Sequence, residues 1–498
     1  QLHLRFADAL EQGTDHAGDA LPAIADHLLR AGRLCPPQRA GAAAVAAGRR
    51  SLDMYAAAEA DSWAERAATV LASAPDPEAV WEVRAEVDLV LEEANRRLGR
   101  ADRTIAALGR VIEAARAHDD ARLLARAAQE RALINADVGF HFGLIDHELI
   151  ALLDEAIARL DEAELPERVT LLAWSSVVRS ALPDEGRQKD LARRAEALAV
   201  GIEDRPDIET LVLLALRLSL SDPATLAERL ELGPRMREAA LASGWSDLAM
   251  LGLVLDVSDL LEAGRVDEAR AANERLRAFI EPLNRPGFDA FELFQRAALA
   301  HVRGDHEEAE ALSAQGALVG LASHGHNAMH ARGGMQTMLA RDLGTAGGLV
   351  EITRAMAAEY PDMPVWMATH AIECLAAGLP EEAAVAAGRV FELGLVDARD
   401  TLWATMITQL AEACWLLDEP AWCAEVAAAI APDRDKVAVT GFGVIILGPL
   451  ARPLGLALAG AGDLDGAHEA LSLAIEISDR CGFDLWAARA RRERALVA

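Results

Sequence analysis

A six-residue phrase recurs along this chain: a glycine turn, one or two acidic residues, then a small residue opening a helix. It reads Gly264-Arg265-Val266-Asp267-Glu268-Ala269, Gly304-Asp305-His306-Glu307-Glu308-Ala309, Gly378-Leu379-Pro380-Glu381-Glu382-Ala383 and Gly462-Asp463-Leu464-Asp465-Gly466-Ala467. Two degenerate copies fill the gaps, ending at Leu349 (Gly344-Thr345-Ala346-Gly347-Gly348-Leu349) and Ala424 (Glu419-Pro420-Ala421-Trp422-Cys423-Ala424). The last positions step by 40, 40, 34, 41 and 43 residues. A recurring step in that range is the signature of stacked helix pairs.

Helical periodicity supports this reading. Val83, Val87, Val90, Ala94 and Leu98 keep one face, Gly99-Arg100-Ala101-Asp102 turns the chain, and Ile105, Leu108, Ile112 and Ala115 form a second face. Each stripe is incomplete alone, and stacked neighbours would complete the burial. Asp76-Pro77 and Asp222-Pro223 each place a capping acid before a first-turn proline. Breaks such as Asp204-Arg205-Pro206-Asp207, Asn284-Arg285-Pro286-Gly287 and Tyr360-Pro361-Asp362-Met363-Pro364 are short enough for turns within one array. The small residues Ala269, Ala309, Ala383 and Ala467, with Thr104 at the matching earlier position, would let the two helices of each hairpin approach. No alternating strand run stands out. The uncharged stretch Val437–Ala451 is too short to span a bilayer and is expected to form a buried helix or two.

Composition narrows the function classes. The 498 residues are 52% hydrophobic but only 4% aromatic, which suits close-packed helices. A net charge of −30 repels phosphate backbones and anionic lipid, so neither nucleic acid nor membrane is an expected partner of this segment. Cys35, Cys374, Cys414, Cys423 and Cys481 contain no CxxC pair and are odd in number, which argues against a disulfide framework and for a cytoplasmic location. The start at Gln1 lacks both Met and an apolar leader, so a fragment beginning inside a helix is expected.

The repeat phrase resembles tetratricopeptide hairpins, with a longer step. Toward the C-terminus, Gly462–Leu471 and Cys481–Arg491 resemble the closing repeat of large bacterial signal-transduction ATPases. These include the ATP-dependent LuxR-type regulators and ATPase-linked adenylate/guanylate cyclases of actinobacteria. The Tyr360-Pro361-Asp362 to Trp366 segment and Gly448 through Gly455 are similar to that group too, and Leu21–Gly32 resembles the helix that follows its ATPase and winged-helix portion. The resemblance implies an all-α, right-handed superhelix (solenoid) of tetratricopeptide-like helix-turn-helix repeats. On this reading residues 1–75 are an N-terminal helical segment following an ATPase portion, and 76–498 are the repeat array. It also implies a non-catalytic regulatory role, binding a protein partner or small effector on the superhelix surface and coupling it to the adjoining ATPase domain. Neither Lys189 nor Lys436 sits in a Gly-x-x-x-x-Gly-Lys phosphate-binding loop, and no basic helix-turn-helix ends the chain. The alternative is a freestanding scaffold for protein–protein interaction.

Candidate chemistry is sparse, and no catalytic, cofactor or metal residue is expected. His324, His326 and His330, with Met329, form the densest group of possible ligands, but Gly325 makes a turn there and no thiol or carboxylate is adjacent. His141 and His147 flank a further turn. No Gly-x-Ser-x-Gly elbow occurs. Glu307-Glu308 and Glu381-Glu382 open helices, where carboxylates favour the positive dipole end. Trp366, Trp403, Trp415, Trp422 and Trp486 either pack between repeats or line an aromatic groove for an effector or peptide. Pro420 is expected to keep Trp415 and Trp422 on separate helices.

Overall fold

The computed structural model describes residues 1–12, 17–137, 146–180, 186–282, 286–361 and 363–497; side chains of 17–19, 135–137, 286 and 322–326 lie outside the description. The chain is an all-α helical-repeat protein with one β-hairpin among the described residues. It divides into two compact units, one of Gln1–Asp137 with Glu148–Leu171, the other running from Leu172 to the C-terminus. The helices on either side of residue 75 pack together inside the first unit, so packing is continuous across the boundary expected at 75/76.

The first unit holds α1 (Leu2–Gln12), α2 (Ala17–Ala31), α3 (Pro37–Asp53), α4 (Ala57–Leu71), α5 (Trp81–Arg97), α6 (Ala101–Ala117), α7 (Ala121–Asp137) and α8 (His147–Arg159). Successive helices from α1 to α7 pack on one another, and α3 also meets α5. Contact between alternate helices is what stacks one hairpin on the next. The core is alanine-rich, with Ala44, Ala60, Ala64, Ala67 and Ala94 excluded from solvent. Such small side chains let helix axes come close. On α6 the buried stripe is Thr104, Leu108, Val111 and Ala115, while Ile105 faces outward. The expected stripe through Ile105 and Ile112 is therefore rotated by one residue. Asp76 and Asp222 accept backbone hydrogen bonds from Glu78 (3.0 Å) and Ala224 (2.9 Å), opening short 3-10 turns ahead of α5 and α12 (Leu226–Ala242).

Helix α9 (Leu165–Val177) carries the chain across the division at Leu171. The second unit continues with α10 (Arg187–Ala199), α11 (Pro206–Ser219), α12, α13 (Ser246–Glu262), α14 (Val266–Ile280), α15 (Pro286–Val302), α16 (His306–Asp342) and α17 (Val350–Glu359). Then come α18 (Pro364–Ala376), α19 (Pro380–Glu392), α20 (Trp403–Leu416), α21 (Pro420–Ile430), the hairpin β1 (Val437–Thr440) and β2 (Ile445–Pro449), α22 (Ala451–Gly460), α23 (Leu464–Cys481) and α24 (Asp484–Leu496). Here α13 meets α15, α18 meets α20, and α20 meets α22.

The recurring phrase is a helix stop followed at once by a helix start. At each strict copy the glycine has positive φ, 70° at Gly264 and 89° at Gly462. The next residue's N–H donates back to a carbonyl five residues earlier: Arg265 to Leu260 (2.8 Å), Asp305 to Ala300 (3.0 Å), Leu379 to Cys374 (2.8 Å) and Asp463 to Leu458 (2.9 Å). This closes the preceding helix with a left-handed cap. Asp463 and Asp305 then cap the next helix through the N–H groups of Gly466 and Glu308. Ala269, Ala309, Ala383 and Ala467 are fully buried where the two helices meet. The degenerate copies are shifted. The left-handed residue is Asp418 (φ 57°), and the buried small residue is Cys423, with Ala424 exposed. After Gly344 a second left-handed glycine, Gly347, lengthens the turn, so that Val350 takes the place expected of Leu349.

Helix α16 is not a straight rod. Thirty-seven helical residues would extend about 55 Å, yet Arg332 donates to Glu310 at 2.8 Å. A Cβ on Gly320 would stand 2.7 Å from that of Ala328. The chain therefore reverses between Gly320 and Ala328, and the two arms of α16 belong to successive hairpins.

The stretch 437–449 departs from expectation: it is an antiparallel hairpin, not a helix, paired from Val437↔Pro449 to Thr440↔Ile445 with an irregularity between Ala438 and Val439. Val437, Val439, Thr440, Ile445 and Ile446 are β-branched, and Gly441, Phe442 and Gly443 all take positive φ in the connection. All four residues of β1 are buried, so neither face is polar and the alternation that flags a strand is missing.

Candidate functional site

The hairpin sits among the helices of the second unit, packed against α13, α15, α16, α20, α22, α23 and α24. These run from α13 to the last helix, α24, and that part of the array closes around it. The Cys481 thiol meets the Gly264 carbonyl at 3.5 Å, and the Gln295 amide on α15 donates to the Phe442 carbonyl at 2.8 Å. Trp486 lies on β2 at Gly448, where a Cβ would stand 2.7 Å from the indole, and its ring is flanked by the Arg452 and Arg489 guanidiniums at 5.3 and 4.8 Å. The inner face of this array, the usual seat of a peptide, is thus occupied by the chain itself.

Buried ion pairs fasten this closure. Arg452 donates to Glu493 (2.9 Å) and Glu412 (3.3 Å), and Glu412 also receives Arg341. Burial would raise the Glu412 carboxyl, but Arg341 and Arg452 hold it down to about 2. Asp342 accepts from His301 at 2.7 Å and pairs with Arg489; burial opposes its ionisation, and those partners keep it below the ordinary carboxylate range. Further along, Asp259 takes Arg217 (2.7 Å) and Arg229 (2.6 Å), and Arg229 also holds Glu262 (2.6 Å).

Between the hairpin and helices α15 to α20 the packing leaves an open cavity of about 270 Å³. Met329 and Ile352 are exposed at its mouth, and Thr369, Thr405, Gln409 and Thr440 lie at its buried end. Its walls are largely apolar, with Phe294, Met338, Met356, Met363, Trp366 and Leu447 prominent. Among the described residues no Asp, Glu, Lys or Arg lines it. At the floor, the Thr369 hydroxyl donates to the Val365 carbonyl at 2.8 Å and lies 2.7 Å from the Gln409 side-chain amide. Thr405 pairs with Thr440, and Thr353 with His370.

The residues singled out in the sequence scatter. His330 reaches the cavity wall, edge-on to Trp366 with ring centroids 5.6 Å apart, and Met329 is at the mouth. His324, His326 and His141 lie outside the described side chains, and His147 is the exposed first residue of α8. Trp403 and Trp486 are buried in the core. Trp422 stacks on Phe391 at 4.8 Å and sits on α21, beyond the break at Pro420 that separates it from Trp415 on α20. Among these tryptophans, Trp366 alone lines the cavity.

A different cluster, unremarked in the sequence, joins His370, Cys374 and Glu382 within 4.8 Å of one another. His370 Nε2 is 3.0 Å from Glu382 and 3.5 Å from Cys374 Sγ, distances that a tetrahedral ion could use. Glu382, however, is already gripped by Arg354 through two bonds of 2.7 and 3.0 Å, and burial pushes the Cys374 thiol up to about 11. A hydrogen-bonded chain from Thr353 through His370 to Glu382 and Arg354 accounts for the cluster. All five cysteines are buried and free.

No protein-family model matches the chain. No curated protein matches it in sequence. Among solved structures, yeast Tom70 aligns at a TM-score of 0.34 and 8% identity, covering 92% of this chain and 96% of that one. A circular tandem repeat protein with novel repeat topology aligns at a TM-score of 0.16 and 12% identity over 99% and 97%. At these scores the fold rests on the helices described above. No described helix is long and apolar enough to cross a membrane.

Proposed function

We propose that this chain is the non-catalytic regulatory region of a cytoplasmic bacterial signalling ATPase, of the kind seen in ATP-dependent LuxR-type regulators or ATPase-linked cyclases. Its effector would occupy the cavity beside the hairpin. The observation that carries the reading is that one cavity is walled by α15, α16, α17, α18, α20 and the hairpin together. A ligand touching six elements at once can favour one arrangement of the repeats over another, and only such differential contact shifts an equilibrium. Occupation of the inner face by the hairpin favours an effector over a peptide on that face; the outer helix faces are left for an adjoining ATPase domain or a protein partner. The encoding gene tests the signalling assignment. A phosphate-binding loop in frame upstream of Gln1 supports it, whereas a start codon directly before Gln1 overturns it in favour of a freestanding scaffold.

A further inference from the structure

The lining of the cavity also specifies what it can hold, granted that it is the effector site. Among the described residues no Asp, Glu, Lys or Arg lines the walls, and the ionisable His330 packs edge-on to Trp366, so an ionised ligand would lose its water for little counter-charge and a neutral occupant is favoured. Its size follows from the volume. A dry cavity of about 150 Å³ takes up benzene, so about 270 Å³ suits roughly ten to twelve non-hydrogen atoms.

The floor adds one polar requirement. Gln409 is only 6% exposed. The Thr369 hydroxyl lies within donating distance of both the Val365 carbonyl and the Gln409 amide oxygen, and with a single proton it engages that one end of the amide and no more. The amide nitrogen has no hydrogen-bond partner among the described residues. That nitrogen is not sealed from solvent, so a ligand hydroxyl that accepts from it takes the place of water there. The thioethers of Met338, Met356 and Met363 adapt to varied apolar shapes and demand no particular one.

We infer that the cavity binds a neutral, largely apolar molecule of about ten to twelve non-hydrogen atoms bearing one hydroxyl group, which hydrogen-bonds to Gln409. Calorimetric titration of the whole chain with three probes of matched size tests this: thymol, p-cymene, which lacks the hydroxyl, and 4-isopropylbenzoate, which carries a charge at pH 8. Thymol is expected to bind saturably at one site, on the order of tenfold more tightly than p-cymene, and the benzoate not at all. Gln409→Met, close in volume, should remove the preference for thymol while leaving p-cymene unchanged. Ala331→Trp, placed in the wall, should abolish binding of both, with helical circular dichroism retained. Equal binding of thymol and p-cymene, or binding of the benzoate, overturns the ligand class while leaving the cavity a site. Failure of both neutral probes to bind the folded wild-type chain overturns the ligand class and the effector site together. The signalling assignment stands or falls separately, on the upstream gene.

Discussion

In the first unit, side chains about one repeat apart meet in water: Arg103 with Glu65, Arg126 with Glu86, and Arg116 with Glu155 lie 38, 40 and 39 residues apart, and all three pairs are exposed. In the second unit the same interval brings partners together inside: Arg217 with Asp259, Arg452 with Glu493, His301 with Asp342, and Thr369 with Gln409, at 42, 41, 41 and 40 residues. One repeat length thus serves two purposes. Exposed pairs are screened, and each contributes about 0–1 kcal/mol. Buried ones add little net stability against an apolar replacement, yet breaking one leaves a stranded charge, so they penalise every wrong register.

The contrast can be broken most severely at Asp259. Asp259→Ala strands Arg217 and leaves Arg229 with Glu262 alone, and should cost about 3–5 kcal/mol, read as a fall in the denaturation midpoint and as lost amide protection confined to α11–α13. Glu92 on α5 is the exception within the first unit: a carboxyl 1% exposed, raised by burial and by Glu130 to about 8 from 4.5. Between those pH values the folded protein holds a proton that the unfolded chain has released, so stability falls as pH rises through that window. Glu92→Gln should remove this slope and gain on the order of 3 kcal/mol at pH 8, measured by urea denaturation at pH 5 and pH 8. Gly448→Ala would force a Cβ against Trp486 at a backbone φ of 84° and should cost roughly 2 kcal/mol, with the tryptophan emission of the second unit shifted. The smallest effect belongs to Arg116→Ala, at most about 1 kcal/mol and fading in 1 M salt. A large, salt-insensitive loss there would dissolve the distinction between the units.

Much of the architecture was legible because turn chemistry is local. A left-handed glycine followed by a capping acid and a small residue needs only its neighbours, so Ala269, Ala309, Ala383 and Ala467 could be placed before any helix was seen. Where another residue replaced glycine, as at Asp418, the register slipped by one. The hairpin was hidden for the opposite reason: buried on both faces by distant helices, it carries no alternation to read. The cavity was less legible still. Gln409, Thr369 and Trp366 look like ordinary interior residues, and their convergence depends on how four hairpins stack. Of the histidine group, His330 alone could be followed to the cavity wall.

The self-filled interior also bears on the order in which the protein can be made. An open solenoid can add each repeat to a finished neighbour as it leaves the ribosome. Here Gln295 waits for Phe442, 147 residues downstream, and Gly264 waits for Cys481, 217 downstream. Repeats synthesised early must keep their inner faces uncovered until the last hairpins arrive, so the second unit should acquire its structure late and as a whole.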